Sequence, residues 1–316
     1  MLRRTYALVS IAFTVSLFAP ADAVATAQRT FVASNGNDAN PCSLVSPCRA
    51  FAAAIAQTIS GGEVIVLDSA GYGPVTISQS VSIIAPTGVY AGISASSGSA
   101  VTIATAGVNV TLRGLNLIGI GAATGVSMTN GSTLSIENSI VSNFTGNGVF
   151  ISALAQVRII DTVVRNNGAN GIRLQGGATG DIASSKIVGN GVFGIVAEGA
   201  VASTTSTVIV TDSVVSENGF GISAHSVDSP TGHTRVSVIR TTVSNNTSTG
   251  VVPVGSSGAS AILTLSSSLV ARNACGVYSS GIGAVLETTG HNTVRQNTAD
   301  NCGADGGAAI TTVPEF

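Results

Sequence analysis

Side chains able to do chemistry are sparse in this sequence. It has three histidines, four cysteines, one lysine and fifteen carboxylates among 316 residues, with only 9% charged. One group stands together: Glu198, His225, Asp228 and His233, with Arg173 upstream. Two of the three histidines fall in a single nine-residue window beside a carboxylate. A guanidinium and two imidazoles in one place can bind an acidic sugar, and two imidazoles converging with a carboxylate can hold a metal ion. Polar residues also collect on surface insertions simply because insertions are solvated. Arg173, Glu198, His225, Asp228 and His233 are the candidate ligand-binding residues. No metal and no cofactor is expected, and no catalytic residue is assigned.

The cysteines fall in two pairs, Cys42 with Cys48 and Cys275 with Cys302. Zinc would need tighter thiolate clusters with further ligands nearby, so two disulfides are expected. The first residues point to the same compartment. Arg3 and Arg4, an apolar run from Ala7 to Phe18, and small-residue sites ending at Ala23 and Ala27 read as a secretory signal peptide over 1–27. The run is shorter than the roughly 20 residues a membrane span needs. Cleavage after either alanine gives a secreted product, extracellular or periplasmic, with no transmembrane segment. Losing Arg3, Arg4 and Asp22 takes the 13 basic and 15 acidic residues to 11 and 14. The remaining bases are scattered, which argues against a nucleic-acid partner.

The elements that must position these side chains are short strands. LSIENSIVSNFTGNGVFI, from Leu134 to Ile151, is answered 23 residues later by VRIIDTVVRNNGANGIRL, from Val157 to Leu174. Apolar residues alternate with polar ones in bursts, at period 2. Three bursts per repeat describe one coil of a parallel β-helix whose rungs stack about 4.8 Å apart. Coil origins fall at Val110, Leu134, Val157, Gly180, Val208, Val236, Leu263 and Glu287. Earlier coils, with strands near Glu63–Asp68, Pro74, Val81 and Val101, cannot be registered. The tenth position of successive coils is Asn167, Asn190, Asn218, Asn246, Asn273 and Asn297, a column able to hydrogen-bond along the stack. The fifth position forms a hydroxyl column, Ser139, Thr162, Ser185, Ser213, Thr241 and Ser268. Both columns are structural. The register also sets Arg113 against Glu137, Arg158 against Asp181 and Asp212 against Arg240 as ladder ion pairs.

Two intervals lengthen from 23 to 28 residues, placing insertions at Glu198–Thr207 and His225–Arg235 on one edge of the helix, with a smaller one after Gly255. Residues 28–60 differ from the coils. A strand from Thr30 to Ala33 and a disulfide loop lead to a helix from Arg49, with Phe51, Ile55 and Ile59 on one stripe, ended by Gly61 and Gly62. This segment caps the solenoid, since an open end would stack on its neighbours. The solenoid proper runs over 61–302, and 303–316 reads as a frayed tail. The expected fold is all-β, a single parallel β-helix of about ten coils with a short N-terminal capping helix.

The opening FVASNGNDANPC…PCRAF, the turn GGEVIVLDSAGYGPVTI and the repeated [V/I]-x-[N/D]-[S/T]-x-V-x-x-N-x-x-x-G-[I/V] coil resemble the secreted right-handed parallel β-helix proteins of the pectate-lyase-like superfamily. The resemblance covers Thr30 to Cys302 and implies a right-handed helix. It leaves function open between polysaccharide lyases, glycoside hydrolases, epimerases, tailspikes and members without activity. Active members place clustered Asp, or Asp with Arg or Lys, on the outer face of the Gly-led strand. Here that face reads Ser127, Phe150, Arg173, Val196, Ser223, Val252 and Tyr278. One charge in seven coils supplies neither a calcium site nor two glycosidase carboxylates. Lys186, the only lysine, reads as a solvated coil residue. The expectation is a non-catalytic exported protein whose partner is an extended polysaccharide. The alternatives are a polysaccharide lyase or glycoside hydrolase, or a structural or adhesive surface element. Oligomeric state is left open.

Overall fold

The computed structural model describes residues 26–303 and 309–314. The expected signal peptide lies outside the described residues up to position 25.

The strands assemble into three parallel sheets of twelve, ten and ten strands, visited in turn by each coil. The first sheet begins with Ala27–Val32 and Thr58–Val66, the second with Ala70–Gly71 and the third with Val75–Ile77. Inward positions alternate with outward ones, so Leu134, Ile136, Val141, Val149 and Ile151 all face one continuous core from a single coil. A coil of this size cannot bury its apolar row alone. Only stacking on both neighbours completes the core and the backbone ladders.

The predicted origins from Val110 to Leu263 are partners in the first sheet. The last origin needs correction, because Leu263 pairs with Leu286 and not Glu287. A register shift after Leu265 absorbs one extra residue before Gly290, so Asn297 still reaches its column. The early coils are regular too, with Val81 on Val110, Val75 on Val101 and Ala91 on Leu115.

Both polar columns form inside the corners. Each buried asparagine accepts at Oδ1 from the backbone N–H and the side-chain Nδ2 of the asparagine one rung earlier, as Asn218 does from Asn190 at 2.9 Å each. The column starts at Phe144, whose N–H donates to Asn167, and ends where Asn297 donates to the Asp300 carboxylate. The hydroxyl column works likewise, each oxygen accepting from the backbone of the previous rung, and closes on Asn292. These bonds answer buried N–H groups at turns where the ladder is broken.

Three boundaries differ from expectation. The N-terminal helix spans only Phe51–Ala56, and Ile59, Gly61 and Gly62 belong to the strand Thr58–Val66. Ile59 continues the four-residue apolar spacing, but its segment is claimed by pairing with Ala27–Val32. Phe51, Ala54 and Ile55 pack into the N-terminal end of the core, with the Phe51 ring 5.2 Å from Tyr72. Within 303–316, Ile310–Thr312 is a strand that pairs with the first sheet at Leu286–Thr288. The insertions chiefly lengthen strands. Phe193–Glu198, Phe220–Ser226 and Thr249–Gly255 replace the three-residue strands Val149–Ile151 and Ile172–Leu174 of the two preceding coils, leaving short turns at 199–204, 227–232 and 256–260.

Both disulfides are formed, Cys42–Cys48 across the cap loop and Cys275–Cys302 from the strand Cys275–Val277 to the residue that follows the strand Ala299–Asn301.

Candidate functional site

The five sequence-predicted ligand residues are only partly brought together. Arg173 projects from the outer face of the third sheet, in register with Phe150 and Val196. Its Nε and Nη2 both donate to Glu198 Oε2, at 2.9 and 2.6 Å, and its guanidinium carbon lies 5.4 Å from the Phe150 ring centre. His225 is the rung partner of Glu198, with its ring edge-on to Phe193 at 6.4 Å. Gln175 Oε1 and His225 Nδ1 are buried atoms without a hydrogen-bond partner.

Asp228 and His233 do not join this cluster. Asp228 is exposed on the turn 227–232. His233 has crossed to the first sheet, where its Nδ1 accepts from the Ser260 backbone N–H at 3.0 Å. Strand lengthening is the cause, since it carries the two histidines to opposite sides of a corner. No group of three metal-ligating side chains converges among the described residues. The Arg173 guanidinium is paired with Glu198 through Nε and Nη2 and remains partly exposed.

A second feature lies on the outer face of the first sheet. A groove of about 610 Å³ runs across five rungs there. One row of its lining is Thr133, Gln156, Thr179 and Thr207, each the rung partner of the next, and a second is Thr111, Ser135, Arg158, Asp181 and Ile209. The rows follow from period 2, as every second residue of each strand faces out. Six of the thirteen lining residues are Thr, Ser or Gln, five are apolar or Gly, and only Arg158 and Asp181 are charged, so the groove has no charge signature in the sequence. Its readable signal is the repeat of Thr, Ser and Gln at outward positions beside the Val, Ile and Leu that face the core.

Two charged side chains, Arg158 and Asp181, line the groove. Arg158 and Asp181 are rung partners, as predicted, yet form no ion pair among the described residues. Arg113 and Glu137 do pair, at 2.7 Å, and so do Arg240 and Asp212, at 2.8 Å. A hydrogen bond from Ser135 Oγ, supported by Arg113, holds the Glu137 carboxyl below the usual carboxylate range. Asp181 is the sole carboxylate among the groove's lining residues.

The architecture is shared with known proteins. Residues 92–263 match the family described as right handed beta helix region. A solved pectate lyase, Pel9A, is similar in structure with a TM-score of 0.61 at 13% identity, over 91% of this chain and 82% of that one. A rhamnogalacturonan lyase aligns with a TM-score of 0.48 at 11% identity, over 92% and 87%. None of the curated proteins compared with it matches. At such identities the likeness to solved structures concerns the coiled architecture alone. The family match spans more than half of the 316 residues, and with three parallel sheets stacked in register the chain belongs to the right-handed β-helix family.

Proposed function

We propose that this is an exported, carbohydrate-associated protein that holds an extended polysaccharide along the first sheet without cleaving it. The groove carries the reading. Hydroxyl and amide side chains recur at the rung spacing of about 4.8 Å, close to the length of one pyranose unit, so successive sugars meet equivalent donors and acceptors. One carboxylate and one guanidinium within the lining fall short of the two carboxylates of a glycosidase and of the oxygen set of a calcium site. The two disulfides support export to an oxidising compartment.

Mature protein is incubated with polyuronates and neutral polysaccharides, then assayed for retention and for new ends. Retention without unsaturated or reducing ends is expected, and Thr133→Ala/Gln156→Ala/Thr179→Ala weakens it at least about tenfold, each lost hydrogen bond contributing roughly 0.5 to 1.5 kcal/mol. Unsaturated ends would make the protein a lyase, with Arg158 the first residue to substitute. No retention of any glycan would leave a structural or adhesive element.

A further inference from the structure

The outer face of the second sheet is built differently from a solvated sheet. Its outward positions are in register from Leu115–Gly119 to Leu269–Ala271. Ile118, Ile140, Val163, Val188, Val214 and Leu269 stand there, partly or fully exposed, with Ile120 at the adjoining corner 65% exposed. They share their rows with Ser142, Ser216, Thr242 and Ser244, and exposed apolar side chains gathered on one sheet face mark an interaction surface. Arg165 and Lys186, the chain's only lysine, are exposed on adjacent central strands of the same face. Neither is in an ion pair among the described residues, and the outward positions of these strands carry no carboxylate. The nearest acids, Asp161, Asp212 and Glu217, are at the corners, and Asp212 is held by Arg240.

The central cations decide between occupants. A second copy docked face to face about a two-fold axis would set Lys186 and Arg165 against their own images, with like charges desolvated at the middle of the interface. An anionic partner has no such conflict. In-register rows of Val, Ile, Ser and Thr surround the two cations, and the sheet's backbone groups are already paired within the ladder. A sheet face with exposed apolar side chains, satisfied backbone and central long-chain cations suits the boundary of a phospholipid layer, where aliphatic groups enter and the cations reach phosphates. We infer that the outer face of the second sheet docks on an anionic phospholipid surface, leaving the first sheet's groove turned to a different side.

The test is co-sedimentation of the mature protein with phosphatidylcholine vesicles containing phosphatidylglycerol, and with phosphatidylcholine alone. Retention is expected on the anionic vesicles and is expected to weaken with salt. Arg165→Glu/Lys186→Glu lowers vesicle affinity at least tenfold, and Ile140→Thr/Val163→Thr/Val214→Thr does so independently, while melting and glycan retention stay unchanged in both. No retention of wild type, or retention indifferent to both variants, overturns the assignment. So does a dimer in sedimentation equilibrium that the threonine variant dissolves, or binding to polyglutamate without binding to vesicles.

Discussion

The outer faces of the first and second sheets are made by the same coils, with the same rungs, yet they present different chemistry. Thr133, Gln156, Thr179 and Thr207 line the first, and Ile140, Val163 and Val214 line the second. In both, the inward neighbours are chiefly Val, Ile or Leu in the shared core, with Gly180 in that column beside Thr179. The backbone and core set the spacing of a row, and the outward residue alone sets what the row offers. A β-helix can thus carry two unrelated surfaces, since a change on one leaves the core beneath the other intact.

The comparison fails first if the shared interior is removed. Asn218→Ala strips the acceptor from the buried Asn190 N–H and Nδ2 and loses donations to Ile187 O and Asn246 Oδ1. We expect a loss of about 4 kcal/mol, read as a lower urea midpoint, and both faces should lose their ligands together. A variant that lost binding on one face only would show that the faces do not depend on a common ladder.

A smaller effect sharpens the contrast. Val163→Thr and Val214→Thr should change stability by no more than about 0.5 kcal/mol, because the outward side is already half-solvated and Thr keeps the strand preference. The inward Val164→Thr, fully buried, should cost about 2 kcal/mol by leaving a hydroxyl without a partner. Equal costs at 163 and 164 would contradict the assignment of in and out.

Acid gives the smallest and most one-sided effect. Glu137 is held below its usual range by Ser135 and Arg113, Asp212 by Arg240, and Asp68 by Ser34 and Tyr72. A carboxyl with a lowered folded pKa gives stability that is present above its unfolded value, 3.8 for Asp and 4.5 for Glu, and lost as pH falls through the folded value. Melting temperature should decline slightly below about pH 4.5. Glycan retention should weaken over the same range, as the groove's margin loses the Arg113–Glu137 pair, while the second sheet's face, without outward carboxylates, should not respond.

Much of this was legible in the residues. Period-2 bursts, the asparagine column and the Arg113–Glu137 and Asp212–Arg240 pairs place the coils from Val110 to Leu263, because each residue there is constrained by its neighbours above and below. Legibility fails where those constraints relax. Glu287 was set one residue late because the bulge before Gly290 leaves no trace in an alternating pattern. Ile59 fits a helix by spacing and a strand by partner, and the partner, Ala27–Val32, is distant in sequence. The candidate site was harder still. His225 and His233 are close along the chain, and distance along a chain that turns a corner between sheets says little about distance in space. The groove belongs to no one segment, since each of five coils contributes only two or three residues to it.

The asparagine column has a direction. Every member passes hydrogen bonds toward the next rung, until Asn297 gives both its backbone and side-chain N–H to Asp300 Oδ1. A carboxylate has nothing to pass on, so Asp300 is a full stop written in one atom, where nitrogen is replaced by oxygen. Upstream of it the wording is the same at each rung, and whole rungs can be copied or struck out without disturbing the grammar of those that remain. The reach of the groove is accordingly a counted quantity, graduated in steps of about 4.8 Å, and on the polysaccharide-binding proposal a lineage carrying this fold could match longer or shorter polymers by arithmetic on coils, with no new contact to invent.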